Sequence, residues 1–322
     1  MEHKETRQNP DVINQLALIG LVPVVKVENP EDAVPLCQAL ERGGLPVAEI
    51  TFRTPAAREA IRLVHESFPQ VLLGAGTVTT TQQAREAWVA GARFLVTPGM
   101  NPAVLEYALD REYTILPGCA GPSDIETALS FGVSVLKFFP AEVLGGVKMI
   151  RALLGPYHSV HFVPTGGITP QNLSDYLAIP QVLACGGSWM VPEALIRQQN
   201  WGAIETLAKE AVSTALNFRL QGITLYGKDE EDSLTAVHRL GLLTGWPIKL
   251  GSSSWDMLTF AASKGDAAGR ITISTTTLQR AQWHLERRGF ELKAQKQTGG
   301  LYLTEKLSSF EVELISQEAY NK

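Results

Sequence analysis

Along the first two thirds of the chain, short apolar runs alternate with longer segments whose apolar residues recur at helical spacing. After a polar start, Val12 to Ile19 fits one short helix and LVPVVKV (Leu21 to Val27) a buried strand. PEDAVPLCQALERGG then reads as a helix with a glycine stop, VAEITFRT as a strand, PAAREAIRLVHESF as a helix with proline in its first turn, and VLLGAGTV as a strand. TQQAREAWVAGA, NPAVLEYALDRE and GPSDIETALSFG are helical, and they separate the strands RFLVTPG, YTILPG and VSVLKFFP. GGVKMIRALLG leads to strand VHFVPTGG, TPQNLSDYLAI leads to QVLACGGSW, and a last helix runs from about Trp201 to Leu216. Parallel strands need crossover helices and close at eight, so these eight strand–helix units predict a (β/α)8 TIM barrel over residues 1–216. A doubly wound open sheet is the runner-up, but no GxGxxG follows the first strand.

Past Leu216 the rhythm changes. Strand FRLQGITLY, helix DSLTAVHRLGLLTG and strands around PIKLGSS and WDMLTFAAS are followed by strand GRITIST, helix TTLQRAQWHLERRG and strands around FELKAQ, GLYLTE and SFEVELIS. The second set is βαβββ, and the first, with two strands named after its helix, is read as the same order, which predicts a smaller α+β domain of paired βαβββ modules over residues 217–322.

Composition adds limits. The chain of 322 residues is 45% hydrophobic and 19% charged with a net charge of −5, a globular profile that gives no reason to expect nucleic acid or an anionic membrane as partner. The first 216 residues carry a net −6 and the remainder +1, in keeping with two modules. No apolar run approaches the length of a membrane span and the start is unlike a signal peptide, so a cytoplasmic protein is expected. Cys37, Cys119 and Cys185 lack CxxC spacing and read as plain buried thiols.

The candidate chemistry centres on Lys137, the single lysine of VSVLKFFP. An ammonium in a strand buried on both faces costs several kcal/mol unless it is paired or sheds its proton, and a neutral amine is a nucleophile that forms Schiff bases with carbonyl compounds. Pro140 ends the strand, which places Lys137 near the C-terminal rim where parallel α/β folds carry their chemistry. In VAEITFRT, side-chain alternation sets Glu49, Thr51 and Arg53 on one face. A carboxylate able to move protons and an arginine fork suited to a carboxylate or phosphate thereby join the lysine, although an ion pair between Glu49 and Arg53 is the plainer alternative. The adjacent pairs Gly166–Gly167 and Gly186–Gly187, with Thr165 and Ser188, follow the last two strands, where backbone N–H groups of a barrel bind phosphate.

With these residues in place, the motifs AEITFRT, GAGTV, TPG, ILPG, LKFFPAE, GGVK, PTGGI and GGSW, in order across about residues 15–195, resemble the class I 2-keto-3-deoxy-6-phosphogluconate (KDPG) aldolases, which also cleave 4-hydroxy-2-oxoglutarate (KHG). The resemblance implies a lyase releasing pyruvate, with Lys137 as the Schiff-base lysine and Glu49 as the acid/base acting through a bound water. It implies that Arg53 and Thr77 hold the pyruvyl carboxylate with help from Thr165, that Pro98 and Phe139 wall the pocket, and that Gly166, Gly167, Gly187 and Ser188 take the phosphate. The implied substrate is a small keto-acid sugar phosphate, the implied assembly a homotrimer, and no cofactor or metal is required. The stretch ILPGCAGPSD departs from the family pattern, which leaves the galactonate-derived epimer and KHG open as substrates. A reading of another class is a binding protein that senses sugar phosphates. The C-terminal half resembles the vicinal oxygen chelate, glyoxalase-like domains. At the metal-ligand positions it offers Gly222, Arg270 and Glu313, so a metal-free module is expected, with Glu313 solvated and His238 and His284 on helix surfaces.

Overall fold

The computed structural model describes residues 6–244, 258–262, 268–295 and 299–317, and the chain divides into two compact units, Met1–Ala215 and Leu216–Lys322. In the first unit helix and strand alternate in the order α1 (Pro10–Ile19), β1 (Leu21–Val25), α2 (Ala33–Arg42), β2 (Val47–Thr51), α3 (Ala57–Ser67), β3 (Leu72–Gly76), α4 (Thr81–Val89), β4 (Phe94–Val96) and α5 (Pro102–Leu109). Then follow β5 (Ile115–Leu116), β6 (Gly118–Cys119), α6 (Pro122–Ser130), β7 (Val135–Phe138), α7 (Gly146–Leu154), β8 (His161–Pro164), α8 (Leu173–Leu177), β9 (Cys185–Gly187), α9 (Glu193–Arg197) and α10 (Trp201–Leu216).

Local chemistry explains the boundaries. Asn9 caps α1 by accepting from the Asp11 and Val12 amides, Pro10 supplies a preset first turn, and Gly20 ends the helix at φ 78°, a left-handed position that favours glycine. Thr80 and Gln83 form a reciprocal capping box at the start of α4. In α3 the buried residues Ala57, Ala60, Ile61 and Val64 recur at helical spacing, so one stripe faces the strands while charges face water.

The strands are parallel throughout this unit. Six pair in the order β5-β4-β3-β2-β1-β9 and three in the order β6-β7-β8. Isolated parallel bridges from Phe162 to Val182 and from Thr165 to Gly186 link the β8 and β9 segments. This is a parallel α/β architecture whose strands are buried on both faces. The YTILPG run, expected as one strand, is two, because Pro117 has no N–H to give and separates β5 from β6.

The seam left between β5 and β7 is filled by a side chain. Gln8, only 1% exposed, donates from Nε2 to the carbonyls of Ile115 and Val135, both at 2.8 Å. Its Oε1 accepts the amides of Val135 at 2.9 Å and Ser134 at 3.3 Å. One primary amide thus supplies the donors and acceptor that a longer strand would have provided. Cys37, Cys119 and Cys185 are buried thiols, and burial pushes Cys37 and Cys119 up to about 12.

The second unit holds β10 (Arg219–Gly227), α11 (Glu230–Thr244), β11 (Leu258–Ala262), β12 (Gly269–Thr275), α12 (Leu278–Arg287), β13 (Leu292–Ala294), β14 (Leu301–Leu303) and β15 (Phe310–Ser316). Its strands form one mixed sheet in the order β11-β10-β12-β15-β14-β13 among the described residues. Within each half the first and last strands pair in parallel, β10 with β11 and β12 with β15, while β10 and β12 join the halves antiparallel. The strand expected around PIKLGSS, residues 247–253, and the start of the WDMLTFAAS run lie outside the described residues. Two surface expectations are corrected. Glu313 is 5% exposed and lies 3.4 Å from Arg270 Nη1, and His284 is 2% exposed, whereas His238 is exposed as expected. A charge pattern on a strand does not reveal that its neighbour strand supplies an arginine. Among the described residues no helix is long and apolar enough to cross a membrane.

Removing the Gln8 amide strands several buried backbone groups at once, so Gln8→Ala is expected to lower the stability of the first unit by about 2–4 kcal/mol. Chemical denaturation of wild type and variant measures this, and a loss under about 0.5 kcal/mol would show that water replaces the amide at no net cost.

Candidate active site

The site is set by β2 and β7, which are not neighbours in either sheet. Lys137 on β7 stands beside Gly118 of β6 and Val163 of β8, and only 6% of it is exposed. Glu49 on β2 is 3% exposed. Their side chains meet across the interior, with Lys137 Nζ 3.3 Å from Glu49 Oε1. The carboxylate therefore pairs with the lysine, and the alternative pairing with Arg53 is not formed. A proton can pass directly between such groups, leaving a neutral amine beside a neutral acid.

Small residues make the meeting possible. A Cβ on Gly76 of β3 would collide with the Glu49 carboxylate, and one on Gly118 would collide with the backbone of Pro98. Pro98 is held there by Thr97, whose hydroxyl accepts the Gly118 amide at 3.0 Å and donates to the Gly99 carbonyl at 2.8 Å. Phe139 places its ring centroid 5.2 Å from Lys137 Nζ.

Above the pair lies a cavity of about 220 Å³, lined among the predicted residues by Arg53, Phe139, Thr165, Gly166, Gly167, Gly187 and Ser188. Thr51 and Phe139 line it too, and each is two residues further along its strand direction than Glu49 and Lys137. The pair is thus one side-chain repeat, about 7 Å, deeper. Gly166 and Gly167, both on the cavity wall, take φ of 98° and 80°, left-handed values that favour glycine. Their loop is fastened by Glu142 N–H donating to the Gly166 carbonyl at 3.1 Å and by Asn172 Nδ2 donating to the Gly167 carbonyl at 3.1 Å. Gly186 leaves room for the Thr165 hydroxyl, and Gly187 for the Trp189 ring.

Arg53 lies beyond the end of β2 and is exposed, so its guanidinium is at the mouth rather than inside. Its Nε donates to the Thr77 hydroxyl at 3.3 Å. Thr77 has φ of 55°, rare for a β-branched residue and a form of backbone strain found at functional sites. Lys137, Glu49, Thr77 and Pro98 are not on the cavity wall, whereas Lys26 and Glu193 are, and neither was singled out from sequence. Lys26 interrupts the apolar run LVPVVKV much as Lys137 interrupts its own, a signal that could have been used; nothing local marks Glu193.

A lysine paired with a carboxylate under a glycine-walled cavity is an arrangement for carbonyl chemistry on a small anion. The sequence profile of the KDPG and KHG aldolase family matches residues 12–207. The chain belongs to that family. It is an aldolase, a lyase. The 2-dehydro-3-deoxy-phosphogluconate aldolase of Haemophilus influenzae is 49% identical over 201 residues, which cover 62% of this chain and 95% of that protein. A crystal structure of KDPG aldolase from Legionella pneumophila, with pyruvate captured as a covalent carbinolamine intermediate, is 40% identical with a TM-score of 0.60 and covers 62% of this chain and 97% of that one. The aldolase of Zymomonas mobilis, solved with 3-phosphoglycerate, is 38% identical with a TM-score of 0.59 and covers 62% of this chain and 94% of that one. The aldolase match ends before the second unit begins.

Two substitutions test the pair. Lys137→Met, similar in bulk but without an amine, is expected to leave a folded aldolase by circular dichroism that no longer becomes labelled when reduced with borohydride in the presence of pyruvate. Glu49→Gln is expected to keep the labelling while slowing proton exchange at the pyruvate methyl by roughly 10²–10⁴-fold, read by NMR in deuterated water. Exchange at the wild-type rate would leave Glu49 a mere counter-ion.

Proposed function

We propose that the chain is a class I aldolase that cleaves 2-keto-3-deoxy-6-phosphogluconate to pyruvate and glyceraldehyde 3-phosphate. The observation that carries this reading is the buried Lys137–Glu49 contact beneath a cavity walled by Gly166, Gly167, Gly187 and Ser188. Lys137 attacks C2 of the keto acid, and loss of water from the carbinolamine leaves an iminium that acts as an electron sink. Glu49 takes the C4 hydroxyl proton, the C3–C4 bond breaks, the aldehyde leaves, and its electron pair remains as an enamine. Glu49 then returns a proton to C3, and water hydrolyses the iminium to free pyruvate and Lys137. In this reading Arg53, Thr77 and Thr165 hold the carboxylate end, Phe139 walls the pocket while Pro98, off the cavity wall, backs it from behind Gly118, and Gly166, Gly167, Gly187 and Ser188 receive the phosphate on backbone amides and a hydroxyl. The parallel strands close as an eight-stranded barrel through the β8–β9 bridges, and the chain works in the cytoplasm as a homotrimer. Its second unit is a glyoxalase-like module of paired βαβββ halves without a metal, because the Arg270 guanidinium lies against Glu313 where a cation would have to sit.

A coupled assay with the phosphogluconate-derived substrate, its galactonate-derived epimer and KHG tests the substrate. The first is expected to give the highest kcat/KM, and a preference for either of the others would reassign it. Elemental analysis of the purified chain is expected to find divalent metal far below one equivalent, and stoichiometric metal would overturn the reading of the second unit.

A further inference from the structure

The cavity rim carries a charge arrangement that the lysine chemistry does not use. Pro23 of β1 is in register with Gly187, and Lys26, three residues on, lines the cavity with Gly166, Gly187 and Ser188. Lys26 Nζ lies 2.8 Å from Glu28 Oε1 and 3.4 Å from Glu193 Oε2. Glu193 begins α9, lines the same cavity, and also lies 3.7 Å from Arg197 Nη1. One ammonium therefore stands between two carboxylates beside the glycine loops that line the cavity.

The partners of Lys26 differ in what they lose if it moves. The Glu28 side chain is 60% exposed and is rehydrated at once, and Glu193 keeps Arg197. Exposed pairs of this kind contribute little, whereas a lysine contact to a doubly charged phosphate is charge-assisted on both sides. The hydrogen bond to Glu28, and after it the one to Glu193, holds Lys26 above the ordinary lysine range, so it stays charged at neutral pH. Glu193, facing the same space, opposes any anion that arrives without drawing Lys26 away from it.

We propose that Lys26 is a transferable counter-charge: Glu28 and Glu193 hold it before substrate binds, a phosphate at the Gly166 and Gly187 loops takes it over, and Lys26 and Glu193 together set the preference for phosphorylated over unphosphorylated keto acids. The inference rests on the aldolase reading for its substrates and on the cavity geometry alone for its anion.

The test therefore has two readouts. Titration of the full chain with inorganic phosphate, followed by calorimetry, reports the anion, and the ratio of kcat/KM for the phosphorylated sugar acid to that for the same acid without phosphate reports the preference. Lys26→Met is expected to weaken phosphate binding and lower the ratio by about tenfold each, and Glu193→Gln to tighten binding and raise the ratio by about threefold or more. Lys26→Met within twofold of wild type, or Glu193→Gln binding phosphate no more tightly than wild type, would overturn the proposal. Should Lys26→Met fail to fold, Glu193→Gln, altered at a half-exposed side chain, decides alone. A wild type that traps no pyruvate under borohydride refutes the aldolase reading, while the phosphate titrations still decide for Lys26.

Discussion

Two opposite charges 3.3 Å apart in a nearly dry interior constrain everything around them. Each ion alone would lose several kcal/mol of hydration on burial, and removing either partner exposes the other to that penalty. The pair persists because β2 and β7 approach it from separate sheets, and because Gly76 has no side chain to occupy the space that the Glu49 carboxylate takes. The glycine of β3 is thus placed by the charges. A layer of branched apolar side chains would pack better and leave no room for a carboxylate to reach an amine.

Much of the first unit is legible in the sequence because one physical rule, burial on both faces, acts on every strand alike. The same rule makes Lys137 conspicuous, since a charge in a uniformly apolar run has no bland explanation once the run is central. Parity predicted the shared face of Glu49 and Thr51 and would have placed Arg53 inside too, but β2 stops at Thr51 and the arginine lies at the mouth. The division at Pro117 could be read from proline alone, whereas its repair by Gln8 could not. A side chain that bonds to residues more than a hundred positions away leaves no periodic trace. Lys26 was passed over for a similar reason, because its meaning comes from Glu193, remote in sequence and adjacent in space.

In the second unit the failures share a cause. Glu313 and His284 were assigned to the surface from polarity, yet both are buried, Glu313 beside Arg270. The Arg270 guanidinium lies 5.3 Å from the ring centroid of Tyr302 and faces Glu311 as well, so one residue organises polar groups on two other strands, β14 and β15. Polarity along a strand says where charge is, and only the sheet order says whether it is compensated.

The Gln8 bridge bears on the order in which the chain assembles. Its bonds to Ile115 and Val135 span 107 and 127 residues, so a segment made before β1 stays without them until the lysine strand has left the ribosome and found its place. Contacts of such long range are reached late and slowly, since the loop between them must be ordered first. The Gln8 amide is therefore seated only once β5 and β7 stand side by side, and its seating reports that the strand holding Lys137 is in place.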